Sequence, residues 1–176
     1  MASTSLAAPS RDRVFSTVFT VENLDDGSDM SIAVRNATTT WDGTLASGTG
    51  TFGSTSSGAL DDQEVTWVSR TEAPGGKTSP EELLAAAHSS CFSMALALTL
   101  GEHKITPTRL VVSAEVHLDP VEGVPTITTS NISVHGTVPG VDAAAFADLV
   151  DEAAKLCPVS RLFAGATISV DAHLDE

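Results

Sequence analysis

Apolar and polar residues change their period several times along this chain, and each change predicts an element. From residue 109 to 119 the sequence RLVVSAEVHLD alternates, with Leu110, Val112, Ala114, Val116 and Leu118 on one face, as a half-buried strand requires. TITTSNISVHGTV (126–138) is its expected partner across the turn at PVEGVP, and ATISVDAHL (166–174) closes the chain as another alternating strand. VDAAAFADLVDEAAKL (141–156) switches to helical spacing: Val141, Ala145, Leu149 and Leu156 fall near one stripe, and Asp142, Asp148, Asp151 and Glu152 lie outside it. Cys157-Pro158 interrupts that helix. PVSRLF then reads as a short second helix whose first-turn proline makes Cys157 the N-cap residue.

Upstream, VFSTVFTV (14–21) reads as a strand and NLDDGSD (23–29) as a turn, after a small, polar N-terminal dozen expected to be disordered. The Thr/Gly/Ser-rich stretch from Ala37 suits short antiparallel strands and hairpin turns, EVTWVSR (64–70) reads as one more strand, and TEAPGGKT as a loop. Ser79-Pro80-Glu81-Glu82 is a helix start, with Ser79 as N-cap, Pro80 in the first turn and Glu82 placed to close a capping box. The helix is expected to run to about Gly101. Together these elements predict an α+β domain with mostly antiparallel pairing.

Residues 83–100 of that helix contain no Asp, Glu, Lys or Arg, which is just long enough to raise a membrane span. His88, three serines, Thr99, many alanines and the lack of aromatic or basic anchors argue for a helix apolar all round and buried in a protein core. Nine basic against 23 acidic residues give a net charge of −14, with no basic cluster, so nucleic acid and anionic membrane surfaces are excluded as expected partners. The amino-terminal residues have no apolar signal region, so the expected location is cytoplasmic. In a reducing compartment the only two cysteines, Cys91 and Cys157, are expected to be reactive, metal-binding or simply buried rather than a standing disulfide.

Cys91 sits mid-helix among leucines, where a thiol should have a raised pKa and needs an imported positive charge to react. Cys157, as an N-cap, would hold its sulfur at the positive end of a helix. His88 shares a helix face with Cys91 and is expected to be a polar residue bonded within the core, with the role of general base for Cys91 as the alternative. No metal site is expected, because the remaining histidines show no ligand spacing. Arg70 and Lys77 flank the Gly/Pro loop before the helix. One reading is a solvated loop; the other folds a guanidinium over Cys91, held by a carboxylate of Glu81 or Glu82.

The run SPEELLAAAHSSCFSMALALTLGE followed by KLCPVSRLF resembles the OsmC branch of the OsmC/Ohr organic hydroperoxide reductases, and TWDGTL, ASGTGTF and HLDPVEGVPTIT are similar to it as well. The resemblance covers residues 37–176 and leaves 1–36 as an N-terminal extension, partly disordered or strand-like. It implies a thiol peroxidase without cofactor, in which Cys91 matches the peroxidatic cysteine, Cys157 the resolving cysteine, Arg70 the catalytic arginine and Glu81 the glutamate that orients it. It further implies an intertwined homodimer with two core helices against antiparallel sheets and active sites at the subunit interface, an organic hydroperoxide substrate and a thiol reductant such as a lipoylated protein. A non-enzymatic binder of an apolar ligand on the same scaffold is the competing expectation.

Overall fold

Threonine and glycine dominate the chain from Ala37, and they form two short antiparallel strands, β1 (Thr38–Asp42) and β2 (Thr49–Gly53), in register from Thr38 opposite Gly53 to Asp42 opposite Thr49. The computed structural model describes residues 31–175, and every element lies in the unit Arg35–Glu176. The expected strand at 14–21 and turn at 23–29 fall outside the described residues. A third strand, β3 (Glu64–Val65), adds antiparallel to β2. The strand expected over 64–70 stops there: Thr66 caps a short helix, α1 (Trp67–Thr71), accepting from the Ser69 amide at 3.0 Å while Ser69 Oγ accepts from the Thr66 amide at 2.9 Å. That reciprocal cap offers the backbone a helical alternative that outweighs the β-propensity of Trp67 and Val68.

Helix α2 (Pro80–Glu102) begins as expected, with Ser79 Oγ accepting from the Glu82 amide at 3.1 Å. Glu82 does not close the box; its carboxylate accepts from Thr78 Oγ1 at 2.8 Å. The helix ends in a Schellman motif: Ile105 N donates to Leu100 O at 2.8 Å and Lys104 N to Gly101 O at 2.9 Å, with Lys104 in the left-handed region at φ 61°. Gly101 is therefore inside the last turn rather than at its end.

The alternating segments form a second sheet, in order β4 (Arg109–Val121), β5 (Val124–Thr137), β6 (Thr167–Leu174). β4 and β5 are an antiparallel hairpin joined through Glu122 and Gly123, both with positive φ, the two-residue turn whose twist matches that of the strands. β6 runs parallel to β5, against the antiparallel expectation, because α3 (Ala143–Leu156) and α4 (Pro158–Leu162) carry the chain back before it re-enters the sheet.

Helices α2 and α3 cover one face of this sheet. Phe92, Leu96 and Leu100 of α2 meet Ile132 and Val134 of β5 and Phe146, Val150 and Ala153 of α3 in the core. Gly136 permits the close approach of α3, since a β-carbon there would lie 2.4 Å from the tip of the Phe146 ring. Phe146 also resets the α3 stripe: Phe146, Leu149, Val150 and Ala153 are buried, whereas Ala145 and Leu156 are exposed, because the bulkiest residue claims the core-facing position. Nor is α2 buried all round. Met94 and Leu98 are 67% and 57% exposed on its far side, so the uncharged stretch has one face in this core and one free in the single chain. It is the one helix among the described residues long and apolar enough to cross a membrane. The architecture is α+β, with a small sheet, a larger sheet and helices.

Candidate active site

Both thiols are free, and they belong to elements that pack on each other. Cys91 is half-buried in the middle of α2, and Cys157 is fully buried at the joint between α3 and α4. Burial pushes the Cys91 thiol above its usual range, the Val159 amide opposes this by donating to it, and the neighbouring Cys157 thiol raises it further. Cys157 is the N-cap of α4, as its position before Pro158 predicts, but its side chain makes no cap hydrogen bond. The amide near the start of α4 serves Cys91 instead, because the Cys157 side chain turns into the core and leaves that donor to the sulfur across the helix interface.

Arg70 and Glu81 meet far from this pair. Arg70 Nε donates to Glu81 Oε1 at 3.0 Å and Oε2 at 3.2 Å, and Nη2 donates to Oε1 at 2.7 Å, a bidentate arrangement that fixes the guanidinium plane. The Trp67 ring, one turn back on α1, lies 6.0 Å from Arg70 Cζ. Lys77 pairs with Glu64 rather than joining them. Glu81 precedes Cys91 by ten residues of continuous helix, about 15 Å along the axis. The guanidinium is therefore tethered to the first turn of α2, and among the described residues no hydrogen bond runs from it to Cys91.

His88 is fully buried one turn before Cys91, its Nδ1 2.7 Å from Ser130 Oγ and its Nε2 2.9 Å from Ser160 Oγ. Burial holds its pKa below the usual value. With both nitrogens engaged by serines, the ring has no lone pair for the Cys91 proton, which removes the general-base alternative. Among the described residues no group of three His, Cys, Asp or Glu side chains has the geometry to hold a metal.

Beside Arg70 lies a cleft of about 120 Å³ lined by Trp41, Leu45, Val65, Trp67, Arg70 and Pro80. Its walls are apolar apart from the guanidinium and Thr66. Sequence reasoning did not single out Trp41, Leu45 or Trp67 for this role, although two tryptophans in a Tyr-free chain, one of them three residues before Arg70, were an available signal. Ser130 and Ser160 gave none, since serine in a strand or a short helix is ordinarily a solvated residue.

Comparison with known proteins agrees with this frame. Residues 73–172 match the family model described as OsmC-like protein. The chain is 42% identical over 134 residues to peroxiredoxin OsmC of Escherichia coli, covering 76% of this chain and 92% of that protein. It is 31% identical over 94 residues to an organic hydroperoxide resistance protein of Xanthomonas axonopodis, covering 53% of this chain and 64% of that one. Among solved structures, the organic hydroperoxide resistance protein OhrB of Bacillus subtilis superposes with a TM-score of 0.63 at 25% identity, covering 82% of this chain and all of that one. A family model spanning more than half the chain, a relative aligned over nearly its whole length and a shared architecture converge: this chain belongs to the OsmC-like family.

Proposed function

We propose that the chain is a cysteine-based peroxidase that reduces organic hydroperoxides to alcohols. The observation that carries the reading is the meeting of two free thiols, one half-buried and one fully buried, across the interface of α2 and α4. In the reaction, the Cys91 thiolate attacks the peroxide O–O bond, keeps one oxygen as a sulfenic acid and releases the alcohol. The Cys157 thiol then displaces that oxygen as water to give a Cys91–Cys157 disulfide, which a dithiol reductant of the lipoylated-protein kind returns to two thiols.

Among the described residues no cation supports Cys91, and burial, with the neighbouring Cys157 thiol, disfavours its thiolate. A homodimer supplies one: the Arg70–Glu81 pair of a second copy brings its guanidinium over the Cys91 sulfur, with the apolar cleft beside Arg70 receiving the alkyl group. The exposed α2 face carrying Met94 and Leu98 is the natural seat for that copy. The relatives' names, peroxiredoxin and organic hydroperoxide resistance, support the substrate class, and the reaction belongs to the cytoplasm, where thiol reductants are abundant.

The raised thiol of Cys91 is also what an inert, buried cysteine would show, and it favours the second reading, a binder of an apolar ligand. Turnover separates the two. With cumene hydroperoxide and a dithiol reductant, the wild-type chain should consume peroxide and Cys91→Ser should not; equal activity in the variant would sink the peroxidase reading.

A further inference from the structure

The proposed reaction asks Cys157 to capture Cys91 after its oxidation, so whatever sets the α4 turn against α2 sets the rate of that capture. α4 has five residues, too few to hold its own position, and Cys157 contributes no cap hydrogen bond to it. One ring bridges the gap. His88, three residues before Cys91 on α2, meets Ser160, three residues after Cys157 on α4, at 2.9 Å, and meets Ser130 on β5 at 2.7 Å. Phe163, just past α4, stacks on the same ring at 5.1 Å and 26°, and Phe92 meets it edge-on at 6.5 Å. His88, Ser130 and Ser160 are all buried, so each bond is made away from competing water.

We infer that His88 is a positioning residue for the disulfide-forming step, a conclusion that rests on the peroxidase reading: anchored on β5, it holds Ser160, and through it the Cys157 turn, at the Cys91 sulfur. A neutral imidazole suits the role, because one nitrogen donates and the other accepts while each serine hydroxyl takes either part. In the step concerned, Cys91 carries the hydroxyl gained from the hydroperoxide. The Cys157 sulfur attacks the Cys91 sulfur, the S–S bond forms as the S–O bond breaks, and the hydroxyl leaves with the Cys157 proton as water. The oxidising equivalent ends shared between the two sulfurs. The ring touches neither sulfur in this scheme and changes no charge.

The test mixes the reduced, full-length protein rapidly with cumene hydroperoxide, traps sulfenic acid with dimedone and free thiols with an alkylating reagent, and follows both steps by intact mass. Ser160→Ala should slow disulfide formation about tenfold, the rate equivalent of one lost buried hydrogen bond, and slow sulfenic acid formation less, since of the two sulfurs only Cys157 is carried by the α4 turn while Cys91 loses at most the Val159 amide. More Cys91 should then reach the sulfinic state at excess peroxide. His88→Leu, which keeps bulk without a polar atom, should behave alike, whereas His88→Gln, whose amide reaches the Nε2 position, should stay closer to wild type. Val134→Ala, a core truncation on β5 that removes none of the hydrogen bonds to His88, should lower thermal stability and leave both steps unaltered. Disulfide formation at the wild-type rate in Ser160→Ala and both His88 variants overturns the inference alone, as does equal slowing in Val134→Ala. A wild-type chain that forms neither the sulfenic acid nor the disulfide overturns the peroxidase reading and takes this inference with it.

Discussion

The small sheet with α1 and the larger sheet with its helices hold their chain in different ways. In the first, every residue of β1 is exposed, Gly50 is the one buried residue of the three strands, and the ties are polar: Thr55 to Asp61, Ser69 to the Thr78 carbonyl, Lys77 to Glu64. In the second, apolar side chains from α2, α3 and β5 close a continuous core around Cys157, with Cys91 packed against it. The sulfur pair therefore sits in close-packed material that fixes positions by volume, whereas the guanidinium sits on an outlying element fixed by directional bonds. Trp41, Leu45 and Val68 of that outlying part remain exposed in the single chain. Two parts of one proposed reaction thus rest on different physics, and they should fail separately.

The widest gap should appear in stability. Phe92→Ala removes a fully buried ring from the α2 core and should cost about 3–5 kcal/mol. Trp41→Ala, at a position 41% exposed, should cost about 1 kcal/mol. Urea unfolding of the two variants reads the difference directly, and comparable losses would mean that the small sheet is as well packed as the core.

Next comes a loss of activity with little loss of stability. Arg70→Met should lower peroxidase activity about a hundredfold, the cost of removing one preorganised charged donor. The partly exposed pair with Glu81 should contribute no more than about 1 kcal/mol to folding. Arg70→Lys should not restore the rate, since an ammonium cannot reproduce the bidentate grip. Mixing Arg70→Met with Cys91→Ser protein sharpens the point: if the guanidinium serves the sulfur of a second copy, hybrid dimers regain activity that neither variant has, and a silent mixture would confine Arg70 to its own chain.

The two regions also differed in how much of them could be read from sequence. The alternation of β4, β5 and β6, the Glu-Gly turn and the Ser79 cap were legible because period and local hydrogen bonding determine them. The short helix at Trp67–Thr71 was not, because its β-rich residues yield to a cap formed by just two side chains, Thr66 and Ser69. The stripe of α3 was misplaced by the weight of Phe146, a packing effect without a local signal. At the candidate site, the order of Cys91 and Cys157 and the Ser-Pro-Glu start stood out. The clamp of Ser130, His88 and Ser160 joins residues 42 and 72 positions apart, a separation that no spacing rule reaches.

A smaller effect should appear in the core as pH falls below about 6.5. Burial holds the folded His88 pKa below 6.5, while in the unfolded chain the ring protonates near 6.5. Between those two pH values the unfolded chain binds more protons, so stability falls as pH falls; above about 6.5 the ring is neutral in both states and contributes no slope. Urea midpoints measured from neutral pH downward should drop more steeply for wild type than for His88→Gln, which has no proton to take up. Parallel slopes would show that the ring titrates alike folded and unfolded, and that its burial is not maintained in solution.

The smallest effect runs the other way, toward greater stability. Thr99, on the core face of α2, is fully buried, and its Oγ1 is the one buried side-chain polar atom without a hydrogen-bond partner among the described residues. A hydroxyl shut away from water without a partner costs about 1–3 kcal/mol, and valine fills the same outline with a methyl group at a similar helix propensity. Thr99→Val should therefore stabilise the fold by about 1 kcal/mol and raise the thermal midpoint by a few degrees, while peroxidase activity stays at the wild-type level. Thr99 lies two turns beyond Cys91 on the same helix, so the variant stiffens the packing that holds the sulfurs without touching α1, which carries Arg70. A loss of stability would show that the hydroxyl finds a partner in solution, such as the Ala95 carbonyl one turn back. A change in activity at unchanged stability would show that the two regions are coupled through α2, contrary to their separate construction.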